Sequence, residues 1–258
     1  MPVKAIIVSA GQGRRLLPLT EDMPKCLLPV VDGRALLEVQ LRALAACGVE
    51  QVTVVVGFRA DKVEDYIADH GIPGLVVETL FNPFYEVADN LATIWLATRS
   101  VSEDFIVLNG DTLFEEAALR RLLASPVAPI TVTINEKHGY DDDDMKVSID
   151  GSRRLLAIGK TLDAEIVNGE SIGMLLFRGE GVQIFRDTLD AAMRTPEGLK
   201  AWYLQVINTI AQSHPVETTT ITGLWWGEVD SPEDLAEVRA SLAKRIERAP
   251  QQPSLAVA

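Results

Sequence analysis

The chain has 258 residues, a net charge of −13 and an apolar fraction of 47%. That length holds one large α/β domain or two small ones, with enough apolar content for a sizeable core. The acidic balance argues against nucleic acid or an anionic membrane surface as a partner, and no apolar stretch approaches the roughly eighteen residues of a membrane span. Cys26 and Cys47 show no metal-type spacing and read as reduced thiols. Lys4 is followed by a short strand and then a glycine-rich loop, so no cleavable signal is read and a cytoplasmic location is expected. His70, His138 and His214 are scattered and form no visible zinc set or nucleophile–base pair.

In chain order, strand-like runs are Val3–Ser9, Val52–Gly57, Leu75–Leu80 and Phe105–Asn109. Helical spacing over Ala35–Cys47 and Ala60–Asp69 lies between them, and Gly48 provides a stop for the first helix. Asn90–Ser100 reads as a third helix, capped by Asp89 or Asn90. Pro129–Asn135 is a further strand, and Lys146–Ile149 and Leu155–Ile158 flank Asp150-Gly151 as an antiparallel hairpin. Ser171–Phe177 returns as a buried strand, followed by helices over Gly181–Arg194 and Ala201–Ser213 and a strand near Thr218–Thr220. The last helix, Pro232–Arg245, starts after Ser231 as cap, with Pro232 at its first position. The Pro/Gln-rich tail, Ala249–Ala258, is expected to be disordered. Alternating strands and helices predict a largely parallel, mixed sheet covered on both faces. One domain over residues 1–248 is expected, with the hairpin and the segment after it forming a small lobe.

The first strand runs into Ala10-Gly11-Gln12-Gly13-Arg14-Arg15-Leu16, and Pro24-Lys25-Cys26-Leu27-Leu28-Pro29-Val30 follows. Glycines let backbone N–H groups approach an anion closely, and Arg14, Arg15 and Lys25 add charge that can brace phosphates. A nucleoside triphosphate needs all of this together. A dinucleotide fingerprint fails because Leu16 stands where its third glycine belongs. A P-loop fails because the single Gly159-Lys160-Thr161 has Arg154 in place of the upstream glycine.

The pattern G-x-G-x-R-L-x-P-L-T followed by P-K-x-L-L-P-V resembles the signature of the nucleotidylyltransferases that activate sugar 1-phosphates and related phospho-compounds. Arg14 departs from it, since the family usually carries a small Ser or Thr there. The resemblance implies a Rossmann-like nucleotidyltransferase fold whose hairpin lobe takes the acceptor. It also implies an Mg²⁺ cofactor held by Asp111, which ends the apolar strand Phe105–Asn109, and by Asp230 in Trp225-Trp226-Gly227-Glu228-Val229-Asp230-Ser231-Pro232. A carboxylate beyond the end of such a strand suits a cation that binds substrate phosphates. Glu228 is a weaker candidate on the same face. Arg15 would brace the leaving phosphates and Lys25 would bridge the α-phosphate and the acceptor. Ala10, Gly11, Gly13, Arg14, Asn82, Asn90 and Gly110 would bind nucleotide.

The segment Phe81-Asn82-Pro83-Phe84-Tyr85 followed by Asp89-Asn90-Leu91-Ala92 resembles the phosphocholine and phosphonate cytidylyltransferases, which implies CTP. The expected acceptor is then phosphocholine, phosphoethanolamine or 2-aminoethylphosphonate. For its cation the candidates are the Asp141–Asp144 run, above all Asp144, with Glu170 and the ring faces of Trp202 and Tyr203; Lys146 would meet its anion. Solvated acids and packed aromatics are the competing reading of these residues. A homodimer is left open. The alternatives in function are a sugar-1-phosphate nucleotidylyltransferase and a non-catalytic nucleotide-binding regulator. A metal-dependent glycosyltransferase would want two aspartates flanking one residue after the strand, and Asn109-Gly110-Asp111 lacks the first.

Overall fold

The computed structural model describes residues 3–99 and 101–248. The tail 249–258 and Ser100, the expected end of the third helix, lie outside them. In chain order the strands are β1 (Lys4–Ser9), β2 (Pro29–Val31), β3 (Arg34–Ala35), β4 (Gln51–Val56), β5 (Val76–Phe81), β6 (Phe105–Asn109), β7 (Thr112–Phe114), β8 (Ile130–Asn135), β9 (Lys146–Ile149), β10 (Leu155–Gly159), β11 (Gly169–Phe177), β12 (Glu217–Thr220) and β13 (Trp226–Glu228). The helices are α1 (Leu36–Ala46), α2 (Ala60–Asp69), α3 (Asn90–Thr98), α4 (Glu116–Leu123), α5 (Glu180–Met193), α6 (Tyr203–Ala211) and α7 (Pro232–Arg248).

Among the described residues the main sheet has nine strands. Its β6-β1-β4-β5 half is wholly parallel, in the register Ile7↔Val54 and Ile7↔Leu108. β11 joins antiparallel to β6 and also pairs β8 and β9, and the β9–β10 hairpin closes that side as expected. Alternate side chains of a strand face opposite ways, and here both faces are buried. Ala5 and Ile7, Val52 and Val54, and Ile106 and Leu108 enter a core with α1, α2 and α4. Ile6, Val55, Phe105 and Val107 enter another with α3, α5 and α6. In that second core Phe105, Phe177 and Phe185 stack at 4.7 and 4.2 Å between ring centroids. This two-faced burial is why the central strands read as continuous apolar runs.

Several elements depart from expectation. β11 begins at Gly169 rather than Ser171, α6 begins at Tyr203 rather than Ala201, and α7 extends to Arg248. Helix α4 and the short pairs β2–β3 and β7–β13 were not anticipated. Asp89 occupies the cap position of α3 without making a side-chain capping bond. The Asn90 side-chain carbonyl instead accepts the backbone N–H of Tyr203 at 3.0 Å, tying α3 to α6. Ser231 does cap α7: its hydroxyl accepts from Asp234 N at 3.1 Å, and the Asp234 carboxylate accepts from Ser231 N at 2.8 Å and Asp230 N at 3.0 Å. This is a reciprocal capping box with Asp at its last position.

Candidate active site

The end of β1 opens into a turn that needs its glycines. Gly13 has φ +75°, and a Cβ there would come within 2.9 Å of the Lys25 side chain, so the lysine stem lies across the bare backbone. A Cβ on Gly110 would come within 2.4 Å of Val8 O, and Gly110 N donates to that carbonyl at 3.0 Å. The turns after β1 and β6 are therefore in direct contact. Thr20 Oγ1 donates to Gly13 O at 2.9 Å and Gln12 Nε2 to Thr20 O at 3.1 Å, which closes the glycine turn on itself.

The two predicted aspartates meet through the β7–β13 ladder. β7 starts one residue after Asp111 and β13 ends two residues before Asp230; Glu228 pairs Thr112, and Val229 N donates to Asp111 O at 3.1 Å. A small core of Leu16, Leu113, Val229 and Leu235 seats this ladder beneath the glycine turn. The Lys25 ammonium lies between the carboxylates, 2.9 Å from Asp111 Oδ2 and 2.6 Å from Asp230 Oδ1. Arg15 reaches Asp230 Oδ2 at 2.8 Å and Asp143 at 3.2 Å. Burial alone would favour a neutral Lys25, but Asp111 and Asp230 outweigh it and raise its pKa. Asp230 is pushed below the usual carboxylate range, because Lys25 and Arg15 outweigh its burial. Burial, with the Asp111 and Asp230 charges, pushes the Glu228 carboxyl up to about 8.

Two clefts flank this ion-paired cluster. One, of about 290 Å³, is lined by Ala10, Gly11, Gly13, Lys25, Tyr85, Asn90, Gly110 and Asp111. The other, of about 460 Å³, is lined by Arg15, Asp141, Asp143, Asp144, Trp225, Trp226, Glu228 and Asp230. Lys25 and Asp111 face the first, Arg15 and Asp230 the second, and the Lys25–Asp230 pair joins them. A separate concavity of about 370 Å³ between α3 and α5 contains none of the motif residues.

Among the described residues no group of three or more His, Cys, Asp or Glu side chains converges as a metal cage. Asp111 Oδ1, however, is buried without a hydrogen-bond partner among them, while Oδ2 and Asp230 Oδ1 converge on one cation. An unsatisfied buried carboxylate oxygen is costly. Two carboxylates beside an open cleft fit a hard divalent ion, which takes oxygen ligands.

The other predicted residues divide. Arg14 is exposed and lines neither cleft. Asn82 is fully buried, donating to Thr93 Oγ1 at 3.0 Å and accepting from Phe84 N at 2.9 Å, so its side chain shapes the loop before α3. Asn90 lines the first cleft; with its carbonyl engaged by Tyr203, its amide donors remain for a ligand. Lys146 is buried, and its ammonium donates to the carbonyls of Asp141 and Lys160, so it pins the acidic loop rather than presenting a charge to an acceptor. Tyr203 offers no ring face: it is buried in the core, and its hydroxyl donates to Asn109 Oδ1 at 3.0 Å. The Trp202 ring carries the Lys160 ammonium 4.9 Å from its centroid. Glu170 is buried, accepting from Asn135 and paired with Lys137 at 2.7 Å; Lys137 also holds Asp144 at 2.8 Å. Burial, reinforced by Asp144, raises the Glu170 pKa despite Lys137. Cys26 borders the first cleft, with a thiol that burial pushes up to about 12, so it stays protonated.

Sequence reasoning did not single out Trp225 and Trp226 as cleft walls; two adjacent tryptophans beside a carboxylate motif were the available signal. It also missed Lys137, an isolated lysine with nothing local to distinguish it.

Residues 5–201 match the family described as MobA-like NTP transferase domain. The chain is 37% identical over 128 residues to a CMP-5'-(3-aminopropyl)phosphonate synthase of Streptomyces rubellomurinus, covering 50% of this chain and 20% of that protein. It is 26% identical over 244 residues to a bifunctional IPC transferase and DIPP synthase of Aquifex aeolicus, covering 93% of this chain and 52% of that protein. The chain thus spans a fifth and about half of the lengths of these relatives. The solved inositol-1-phosphate CTP transferase of T. maritima superposes with a TM-score of 0.78 at 24% identity, covering 96% of this chain and 97% of that one, a likeness of fold.

Proposed function

We propose, since the chain belongs to the MobA-like NTP transferase family, that it transfers CMP from CTP to a small phosphorylated or phosphonate acceptor and releases pyrophosphate. The observation that carries this reading is the Lys25 ammonium bridging Asp111 and Asp230 where the two clefts meet. A donor in the first cleft and an acceptor in the second would place both phosphorus centres at that junction. The CMP in the name of the Streptomyces rubellomurinus relative supports the choice of CTP.

In this reading an acceptor oxygen attacks the α-phosphorus in line. The new P–O bond forms as the bond to the β-phosphate bridging oxygen breaks, and pyrophosphate departs with that electron pair. The acceptor oxyanion is already ionised at neutral pH, so no general base is required. The backbone of Ala10–Gly13 holds the phosphates, and Arg15, which faces the second cleft beside Asp230 rather than the first, would neutralise charge on the incoming acceptor instead of bracing the leaving phosphates. Lys25, bridging donor and acceptor, offsets the repulsion between two anions that must approach. Asn90 directs its amide toward the base. Asp111 and Asp230 would hold Mg²⁺, which when bound withdraws charge from the phosphate oxygens. While the Trp225 ring already carries the Arg245 guanidinium 5.1 Å from its centroid, Asp144, oriented by Lys137, and Trp226 would face a cationic group on the acceptor. Phosphocholine, phosphoethanolamine and 2-aminoethylphosphonate all carry one.

A pyrophosphate-release matrix tests this: CTP, UTP, GTP, ATP and dTTP, each against those three acceptors and glucose 1-phosphate, with Mg²⁺ or EDTA. CTP with an amine-bearing acceptor and dependence on Mg²⁺ is the expected best combination. Glucose 1-phosphate as best acceptor would favour the sugar-nucleotide alternative, and no turnover with any pair would favour a nucleotide-binding regulator.

A further inference from the structure

Asp111 sits in a four-residue turn whose shape is set from outside. The side-chain amide of Gln40, on α1, donates to Asn109 O at 2.8 Å and to Thr112 O at 2.7 Å, the carbonyls on either side of Gly110-Asp111. Both partners are acceptors, so the amide must present its NH₂ to them. Gln40 is 1% exposed and lies on the same helix as the core residues Leu37, Leu41 and Leu44. Its Oε1 is buried without a partner among the described residues. Burying an amide with one end unsatisfied costs free energy, and what it provides in return is a donor to each of two turn carbonyls that an apolar side chain would leave unpaired. Tyr203, from the opposite face of the sheet, adds a second tie to the same turn through Asn109 Oδ1.

We propose that Gln40 is a positioning residue for the metal-binding carboxylate: by spanning the Asn109–Thr112 turn it fixes where Asp111 points, with Tyr203 as the lesser second tie. The proposal rests on the reading of Asp111 as a ligand. Supporting residues behind metal ligands typically change metal affinity or activity by about 10–100-fold when removed.

The test is Mn²⁺ binding, titrated by paramagnetic resonance of the free ion in the presence of a non-hydrolysable CTP analogue. Gln40→Met keeps length and approximate volume and removes both donors. Tyr203→Phe removes only the hydroxyl. Leu189→Ala, in the core beside Phe185, is the reference for general loss of stability. Gln40→Met should weaken Mn²⁺ binding about 10–100-fold and Tyr203→Phe less. Leu189→Ala should stay within twofold of wild type even with a comparable fall in Tm. Mn²⁺ binding within twofold of wild type in both Gln40→Met and Tyr203→Phe, or equal weakening in Leu189→Ala, overturns the proposal. If Gln40→Met does not fold, Tyr203→Phe decides alone. If Asp111→Asn binds Mn²⁺ as well as wild type, the ligand assignment itself fails, an outcome distinguishable from failure of the Gln40 clamp.

Discussion

Replacing Lys25 by alanine removes the one cation that, among the described residues, touches both site aspartates. Two charge-assisted hydrogen bonds are lost, at 2.9 and 2.6 Å, each contributing about 1.5–3 kcal/mol when well formed. The aspartate side chains are 28% and 33% exposed against 13% for the lysine, so water recovers part of the loss, and two converging carboxylates are left facing each other. A cost of about 2–4 kcal/mol at pH 7 in EDTA follows, at the lower side of the range for breaking a buried pair. In a chain of this size that lowers Tm by roughly 5–15 °C. Turnover should fall about 10²–10³-fold, by analogy with loss of a transition-state charge donor. Adding Mn²⁺ separates the two effects. A divalent cation relieves the aspartate repulsion, so Lys25→Ala should gain more stability from Mn²⁺ than wild type gains, while its turnover stays low. Urea unfolding with and without MnCl₂, beside pyrophosphate release, measures both. Unchanged stability in EDTA together with turnover within tenfold of wild type would refute the reasoning.

Arg15→Ala should behave differently: its pairs are largely exposed, worth about 0–1 kcal/mol, so thermal unfolding should barely move while turnover falls about 10²–10³-fold. Asp144→Asn should raise KM for an amine-bearing acceptor and leave KM for CTP nearly unchanged; steady-state kinetics with an equal shift in both would count against an acceptor role. Outside both clefts, Glu38 accepts from Tyr66 Oη at 2.6 Å and Arg42 Nε at 2.7 Å, and these partners outweigh burial and lower its pKa. A depressed carboxylate contributes stability above its unfolded pKa and loses it as pH falls through the folded value. Glu38→Gln should therefore cost about 1–3 kcal/mol at pH 7, and urea unfolding should show that gap closing below about pH 4; a gap independent of pH sinks the assignment.

The strand-to-turn transition at residues 3–13, Lys25 and both aspartates were legible in the sequence because each sits in a local pattern: an apolar run ended by glycine, a Pro-Lys pair, a strand ended by Gly-Asp, an acid before a helix cap. What joins them was not. The β7–β13 ladder is three residues on each side, too short for a periodic signal, and its partners are set by the fold. Helix α4 carried an apolar spacing at Ala118, Leu119 and Leu122 that local reading passes over beside the acidic Glu115-Glu116. Lys146 looked like a free charge because nothing nearby in sequence announces that Asp141 O and Lys160 O will enclose it. Asn82 and Tyr203 were chosen for chemical type, but tertiary packing gave their polar groups internal partners. Gln40 carried a usable signal, an amide on an otherwise apolar helix face, yet its target lies on a strand that folding alone brings within reach.

At the start of α7 the helix cap and the proposed metal ligand are different neighbours. Ser231 and Asp234 close the helix on each other, so the Asp230 side chain has no part in holding it. Its carboxylate can be neutralised without unwinding the segment that carries it. If Asp230 holds the metal as proposed, Asp230→Asn should give a folded protein that stalls before transfer, long enough for a crystal to show which base and which acceptor the clefts accept.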